Sequence, residues 1–406
     1  MSIEQFGKNL SMKILLIVDD YMPYSIKVAA KMMHELACEF QHQGHEVTVL
    51  TPYPKQKTKS KITQLDGVNI CSFRSGEIKN VNKAKRAINE TLLSYYAWSS
   101  FKAYFQENRH DLIIYYSPSI FWGSLVNKLK KLWNCPSYLI LRDIFPQWAI
   151  DNEILKENSV ITKYFKHFEK VSYDAADIIG VMSQKNLDWF QTYYPTNKPL
   201  QILYNWASLT PVTNIDNRYK RKLGIEDKIV YFYGGNLGHA QDMMNLMRLA
   251  INMKNEPKAH FVFVGAGDEF DLIEKTIEIE MLSNTTLLPS VNQIEYKQML
   301  AEFDVGLFSL NKHHKTHNFP GKLLGYMVQK LPILGSINPD NDLKEVIKNA
   351  GAGYIFVNGE DEELFLAAKK LLSHTLRDEM GNNAQKLLIE KFSVNAASKQ
   401  IFESIS

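Results

Sequence analysis

KILLIVDDYMPYSIKVAAKMMHELACEFQHQGHEVTVL, residues 13–50, decides the fold. Residues 13–19 form an apolar run without alternation, as expected of a strand buried on both faces in a parallel sheet. DYMPYS leads from it into a helical pattern over about 26–42, Gly44 stops the helix, and 46–50 is the next apolar run. A strand, loop, helix and strand in this order make a right-handed crossover, the repeating unit of a doubly wound sheet. Outward from it, the pattern predicts further strands at 68–73, 112–115, 138–141, 178–182 and 201–203, with helices between most of them. The lysine-bearing stretches 53–61 and 74–83 read as exposed loops.

At 205–217, NWASLTPVTNIDN, the pattern breaks into polar and turn residues, and a second series begins. A strand at 228–233 ends in Gly234-Gly235 before a helix from about 240, and a strand at 260–264 ends in Gly265-Ala266-Gly267. Strands at 286–288, 305–309 and 332–334 follow, and 361–406 reads as helical. The fold class expected is α/β: two Rossmann-like doubly wound domains facing each other across a cleft, spanning 1–205 and 206–390. Open parallel sheets bind ligands beyond the carboxyl ends of their strands. Segments 234–241, 265–268, 288–291 and 317–322 are therefore expected on one side of the cleft, with 19–27, 117–121 and 142–148 opposite.

Bulk properties narrow the function. The 406 residues exceed what one ordinary core holds, and 45% hydrophobic with 22% charged residues is a globular composition. No run approaches the roughly 18 apolar residues of a membrane span. Residues 1–11 lack the basic start and apolar centre of a signal peptide, and Met12 is a second possible start. Three scattered cysteines, Cys38, Cys71 and Cys135, show no metal spacing and point to a reducing cytoplasm. Residues 1–200 carry 25 Lys/Arg against 19 Asp/Glu, and 201–406 carry 22 against 25, so the first half favours an anionic partner. No zinc module, basic recognition helix or RNA-binding aromatic motif is present, which argues against nucleic acid.

Three turns could carry chemistry. In HNFPGKLLGYM, residues 317–327, Pro320 suits the first position of a helix, Gly321 leaves the backbone open, and Lys322 adds a cation on the first turn. Free N–H groups, the positive end of a helix dipole and an ammonium then converge, as a phosphate site requires; the plainer alternative is a capped helix with a solvent lysine. GGNLGHAQ, 234–241, is a glycine-rich turn entering a helix with His239 at its start, unless its glycines serve dihedrals alone. GAGDE, 265–269, is a second close-approach turn. Neither matches the dinucleotide fingerprint, and no P-loop occurs. Arg142-Asp143 ends a strand and reads either as a functional pair or as a structural ion pair.

From Met12 onward the chain resembles the retaining nucleotide-sugar glycosyltransferases of family four, which have the GT-B fold. The resemblance rests on the order of KILLIVDDYMP, QGHEVTVLTP, LRDIFPQWA, AADIIGVMS, ILYNWAS, GGNLGHAQ, FVFVGAG, FDVGLF and FPGKLLGYM with PILGS. FSVNAASKQIFESIS resembles the family's last helix, which implies that 391–406 returns to the first domain. LRDIFPQWA and HNFPGKLLGYM are most similar to O-antigen and capsule (lipopolysaccharide-type) enzymes, with N-acetyl-L-fucosamine transferases the nearest.

The resemblance implies transfer, with retention and without a metal cofactor, from a UDP-sugar to a polyprenyl-diphosphate-linked saccharide. The location implied is the cytoplasm, peripheral on the inner membrane face. It implies Asp143, Lys322 and His317 as catalytic residues. It places the donor diphosphate and nucleotide on Gly235, Asn236, Gly238, His239, Gln241, Gly265, Gly267, Ser290, Val291, Pro320, Gly321, Lys322 and Leu323. Asp20, Ser25, Lys27 and Arg142 fall to the acceptor, with Asp143 orienting it. The implied departing phosphate oxygen takes the acceptor proton, and fixed N–H groups with Lys322 stabilise the leaving charge.

This sequence departs from the family at several positions. The two glutamates usually separated by seven residues read His317 and Gly325, the usual Arg and Lys after the second domain's first strand are missing, and Tyr24-Ser25-Ile26-Lys27 replaces a glycine pair. A nucleotide-sugar epimerase or hydrolase of the same fold, or a catalytically silent partner subunit, are the rival expectations. Residues 83–105, cationic at their start and dense in aromatics, read as a core helix or as an interfacial membrane helix.

Overall fold

The structure, a computed structural model, describes residues 11–25, 27–78, 81–151, 153–194, 196–207, 209–213, 216–313, 321–339 and 341–405. The chain divides into two compact units. One takes in the residues up to Leu203 together with Ala397 onward; the other is Tyr204–Ala396.

Among the described residues, the first unit carries eight strands: β1 Lys13–Ile17, β2 Glu46–Pro52, β3 Ser60–Leu65, β4 Val68–Phe73, β5 Leu112–Tyr116, β6 Ser137–Ile140, β7 Ile178–Val181 and β8 Leu200–Ile202. They form one sheet in the order β3-β4-β2-β1-β5-β6-β7-β8, parallel except for the β3–β4 hairpin. β1 lies at the centre, in register with β2 from Lys13↔Glu46 and with β5 from Ile14↔Leu112. Its residues Ile14, Leu15, Leu16 and Ile17 are wholly buried, as the apolar run requires. The expected loop at 53–61 holds as far as Lys59, and β3, which starts at Ser60, is an addition to the expected strands. It pairs antiparallel at the sheet's edge, where only one flank is bonded and lysine is tolerated.

Residues 83–105 resolve into two helices, Lys83–Thr91 and Leu93–Glu107. The second buries Leu93, Ala97, Phe101 and Phe105 in the unit's core, so it is a core helix. No helix among the described residues is long and apolar enough to cross a membrane.

The second unit's sheet holds β9 Ile229–Asn236, β10 Ala259–Ala266, β11 Thr285–Pro289, β12 Val305–Ser309, β13 Ile333–Ile337 and β14 Gly353–Val357. All its pairs are parallel, in the order β11-β10-β9-β12-β13-β14. One core cluster packs around Phe232, Leu323, Tyr326 and Phe392, another around Tyr231, Phe263 and Leu307, as alternating strand residues demand. β14 is an addition to the expected set; its half-buried Tyr354, Phe356 and Val357 give no unbroken apolar run.

The closing helix, Val394–Ile405, belongs to the first unit from Ala397 on. There Ile401 is wholly buried, the Phe402 ring meets Phe40 at 5.2 Å and His45 at 4.6 Å, and Ser398 Oγ donates to Gln43 Oε1 at 2.7 Å. The return expected at 391 starts later because Phe392 is wholly buried in the second unit's core. The chain thus passes between the units twice, after Leu203 and after Ala396.

Candidate functional site

The second unit's sheet reverses direction at β9, which has β10 on one side and β12 on the other. Ligand crevices open at such a switch point. Here β9 ends in Gly234-Gly235-Asn236, with Gly235 at φ 137°, where an L side chain would be strained. Beneath it the Tyr233 ring is buried, and its hydroxyl donates to the Asn236 carbonyl at 2.7 Å. The Lys322 ammonium lies over that ring, 3.7 Å from its centre, and 3.5 Å from where a Cβ on Gly235 would stand. Lys322 reaches this position from the second residue of the helix Gly321–Val328. Among the described residues no carboxylate is within ion-pair distance of it. Burial pushes its pKa down to about 7, because charge is costly out of water. A cation–π contact offsets part of that cost. The arrangement therefore presents an under-compensated cation in a glycine-lined crevice, which suits a compact anion.

The neighbouring turns interlock. A Cβ at Gly265 would lie 1.9 Å from the Gly235 carbonyl oxygen, one at Gly267 2.2 Å from that of Leu237, and one at Gly238 2.5 Å from Asp268 Oδ1. At these three positions the chain itself fills the space, so their smallness serves the packing of one turn on another. Gly321 differs: a Cβ there meets no described atom within 4 Å.

His239 is not at a helix start, since the helix runs Met243–Asn252. It sits exposed in the preceding turn, with Nδ1 2.7 Å from Glu269 Oε1 and Nε2 3.5 Å from Asp268 Oδ2. The Glu269 hydrogen bond, then the charges of Asp268 and Glu269, raise its pKa. Glu269 is buried, and its other oxygen accepts from the Met243 backbone N–H at 2.8 Å. One carboxylate thus caps a helix and holds the imidazole. Asn311, after β12, donates its backbone N–H to the Ala240 carbonyl at 3.0 Å and its side-chain amide to the His239 carbonyl at 3.3 Å. Asn236 Nδ2 donates to Gln241 Oε1 at 2.7 Å. Tyr233, Glu269 and Asn311 complete this frame; in the sequence Tyr233 only precedes the 234–241 turn, Glu269 only ends the 265–269 turn, and Asn311 only follows a predicted strand.

The remaining donor-side residues lie more widely. Ser290 is exposed and Val291 half-buried beyond edge strand β11. Leu323 has its side chain wholly buried in the core, so its main chain is the part left for a ligand. His317 and Pro320 lie outside the described residues.

In the first unit the switch falls between β1 and β5. Beyond β1, Asp19 Oδ1 accepts the Trp122 indole N–H at 2.9 Å, and burial pushes its carboxyl up to about 7. Asp20 pairs with Lys27, and the Ser25 backbone N–H donates to the Tyr21 carbonyl at 3.0 Å. Arg142, after β6, is buried, and burial lowers its pKa to about 10. Asp143 is exposed, burial of its carboxyl still raising its pKa, and its carbonyl accepts from Ser117 Oγ at 3.2 Å. Deeper in this unit the Tyr21 hydroxyl lies 2.8 Å from His34 Nδ1, and His34 Nε2 lies 2.9 Å from Asp66 Oδ2.

Two family models match the chain. One described as "Glycosyltransferase Family 4" covers residues 29–210, and one described as "Glycosyl transferases group 1" covers 216–387. The protein named "Probable glycosyltransferase WbjE" of Pseudomonas aeruginosa is 24% identical over 219 residues, 53% of this chain and 54% of its own length. The chain therefore spans about half of that relative. Sucrose-phosphate synthase of Thermosynechococcus elongatus superposes with a TM-score of 0.65 at 14% identity, covering 97% of this chain and 98% of that one. HepE of Anabaena in complex with UDP and glucose gives 0.62 at 15%, covering 97% and 99%. At these identities the solved structures report the fold.

Proposed function

We propose that the chain is a glycosyltransferase of the family 4 type, as the two family models that match its two units support, and that its second unit binds a UDP-sugar at the β9–β12 crevice. The sugar passes to a polyprenyl-diphosphate-linked saccharide, with retained anomeric configuration, in building an O-antigen or capsule chain at the inner membrane face. N-acetyl-L-fucosamine is the sugar we propose. One observation carries this reading: the Lys322 ammonium lies over Tyr233 beside Gly235 without a described counter-charge. A diphosphate would supply that charge. The occurrence of UDP in the HepE complex supports the same choice of nucleotide.

In the proposed reaction the bond from the anomeric carbon to the diphosphate breaks, and its electron pair leaves with the phosphate oxygen. A bond to the acceptor oxygen forms as the acceptor proton passes to that departing oxygen. Lys322, with main-chain N–H groups at Gly321 and in the Gly238-His239 turn, stabilises the leaving charge, so no metal is required. Transfer is accordingly expected to persist in EDTA.

Lys322→Ala tests the assignment. Loss of one such donor costs about 2.7–4 kcal/mol of activation energy, or roughly 10²–10³ in rate. The variant should bind UDP weakly by calorimetry and transfer sugar at least 100-fold more slowly, by roughly that same estimate. Wild-type UDP affinity and rate in the purified variant would remove the diphosphate from this position.

A further inference from the structure

The first unit holds a second, separately built crevice. β1 is its central strand, with β2 on one side and β5 on the other, so the chain leaves the carboxyl ends of β1 and β5 in opposite directions. Asp19 stands two residues beyond β1, and Trp122 follows β5. Their hydrogen bond, Nε1–H to Oδ1 at 2.9 Å, ties the two sides of the switch point together. The Trp122 indole is wholly buried and packs edge-on against Phe73, 6.4 Å between centres, so it holds the carboxylate on a rigid support. That bond occupies only Oδ1. Oδ2 has no hydrogen-bond partner among the described residues, and Asp19 is half-buried rather than fully enclosed.

The surroundings leave Asp19 without a cation of its own. Lys27, the basic residue of the same loop, is paired with Asp20. Asp20 and, from the helix Lys83–Thr91, Glu90 add negative charge near it, while Lys27 at longer range pulls the other way. Tyr116, at the end of β5, faces the same group, and its hydroxyl is pushed up to about 12 by burial. A carboxylate held by one rigid donor, with one open oxygen at a switch point, is a hydrogen-bond acceptor for a neutral hydroxyl.

We infer that Asp19, rather than the exposed Asp143, receives the acceptor's attacking hydroxyl, its open Oδ2 accepting that hydroxyl's hydrogen bond in the crevice beyond β1 and β5. The inference rests on the transferase reading above. Asp19 orients the hydroxyl and its lone pair; the proton still leaves with the diphosphate oxygen as the new bond forms. As a carboxylate it holds the hydroxyl more strongly than as a carboxylic acid. With donor saturating, kcat/KM for the acceptor therefore rises with pH through about 7.

The test uses the full chain, a panel of UDP-hexoses and UDP-N-acetylhexosamines, and short-chain polyprenyl-diphosphate N-acetylglucosamine as acceptor probe. Asp19→Asn is isosteric and its amide oxygen can keep the indole bond. It should lower acceptor kcat/KM by about 100-fold, the low end of what such a positioned group contributes. It should also abolish the rise near pH 7 and leave UDP affinity unchanged. Trp122→Phe keeps the carboxylate but removes the bond that lowers its pKa, so the midpoint of the rise should move upward. Wild-type acceptor kcat/KM with an intact rise in Asp19→Asn, or an unmoved midpoint in Trp122→Phe, would overturn the role of Asp19 alone. A wild-type protein that transfers no sugar from any donor of the panel would instead overturn the transferase reading, and this inference with it.

Discussion

Lys322 and Asp19 are both held near neutrality by burial, in opposite senses, and each makes a separate prediction. The free enzyme carries a charged Lys322 below about pH 7 and a neutral one above it. A bound diphosphate favours the charged form, so UDP affinity should be full below pH 7 and weaken as pH rises through it. Calorimetry in buffers of different ionisation heat should show proton uptake at pH 8 and none at pH 6. Asp19 has its pKa raised above the unfolded value, so the folded state holds a proton that the unfolded chain has lost between about pH 4 and 7. Its ionisation therefore lowers stability as pH rises through that window. Asp19→Asn should raise Tm at pH 8 and change it little at pH 4, each kcal/mol being worth about 2–4 °C in a unit of this size. Sequence reading reached Lys322 because a proline, a glycine and a lysine at a helix start have one economical joint use. It passed over Asp19 because Asp19-Asp20 is a pair of identical residues, and only tertiary packing decides that one meets an indole and the other a lysine.

The parallel strands were readable for a plain reason: burial on both faces leaves little room for charged residues, so β1, β2 and β10 read as mainly apolar runs. β3 escaped because an edge strand with no fully buried residue on either face can carry Lys61 on one side and Gln64 on the other. The helix after β9 was placed too early because 239–242 is a turn, with Asp242 at φ 50°. Its true start is fixed by Glu269, a residue 26 positions away from Met243, which no local pattern can report. Glu269→Gln should weaken that cap by about 1 kcal/mol and free His239, seen as a lower imidazole pKa by NMR. Gly265→Ala places a methyl 1.9 Å from a carbonyl oxygen of the adjacent strand and should destabilise the second unit by about 1–3 kcal/mol in urea unfolding.

Each unit has its own core, so removing an element of one should leave the other's binding intact. Truncation after Ala396 uncovers Phe40 and His45. It should lower the thermal transition of the first unit by several degrees while UDP still binds the second; loss of UDP binding would show the units to be one cooperative body. The same helix sets a condition on biosynthesis. A ribosome makes the residues up to Leu203 before the second unit, but the segment that covers Phe40 is translated only after it. Throughout elongation of the second unit the nascent first unit waits with an open apolar flank, a natural hold for a chaperone. It is completed only once the residues from Ala397 on have been made.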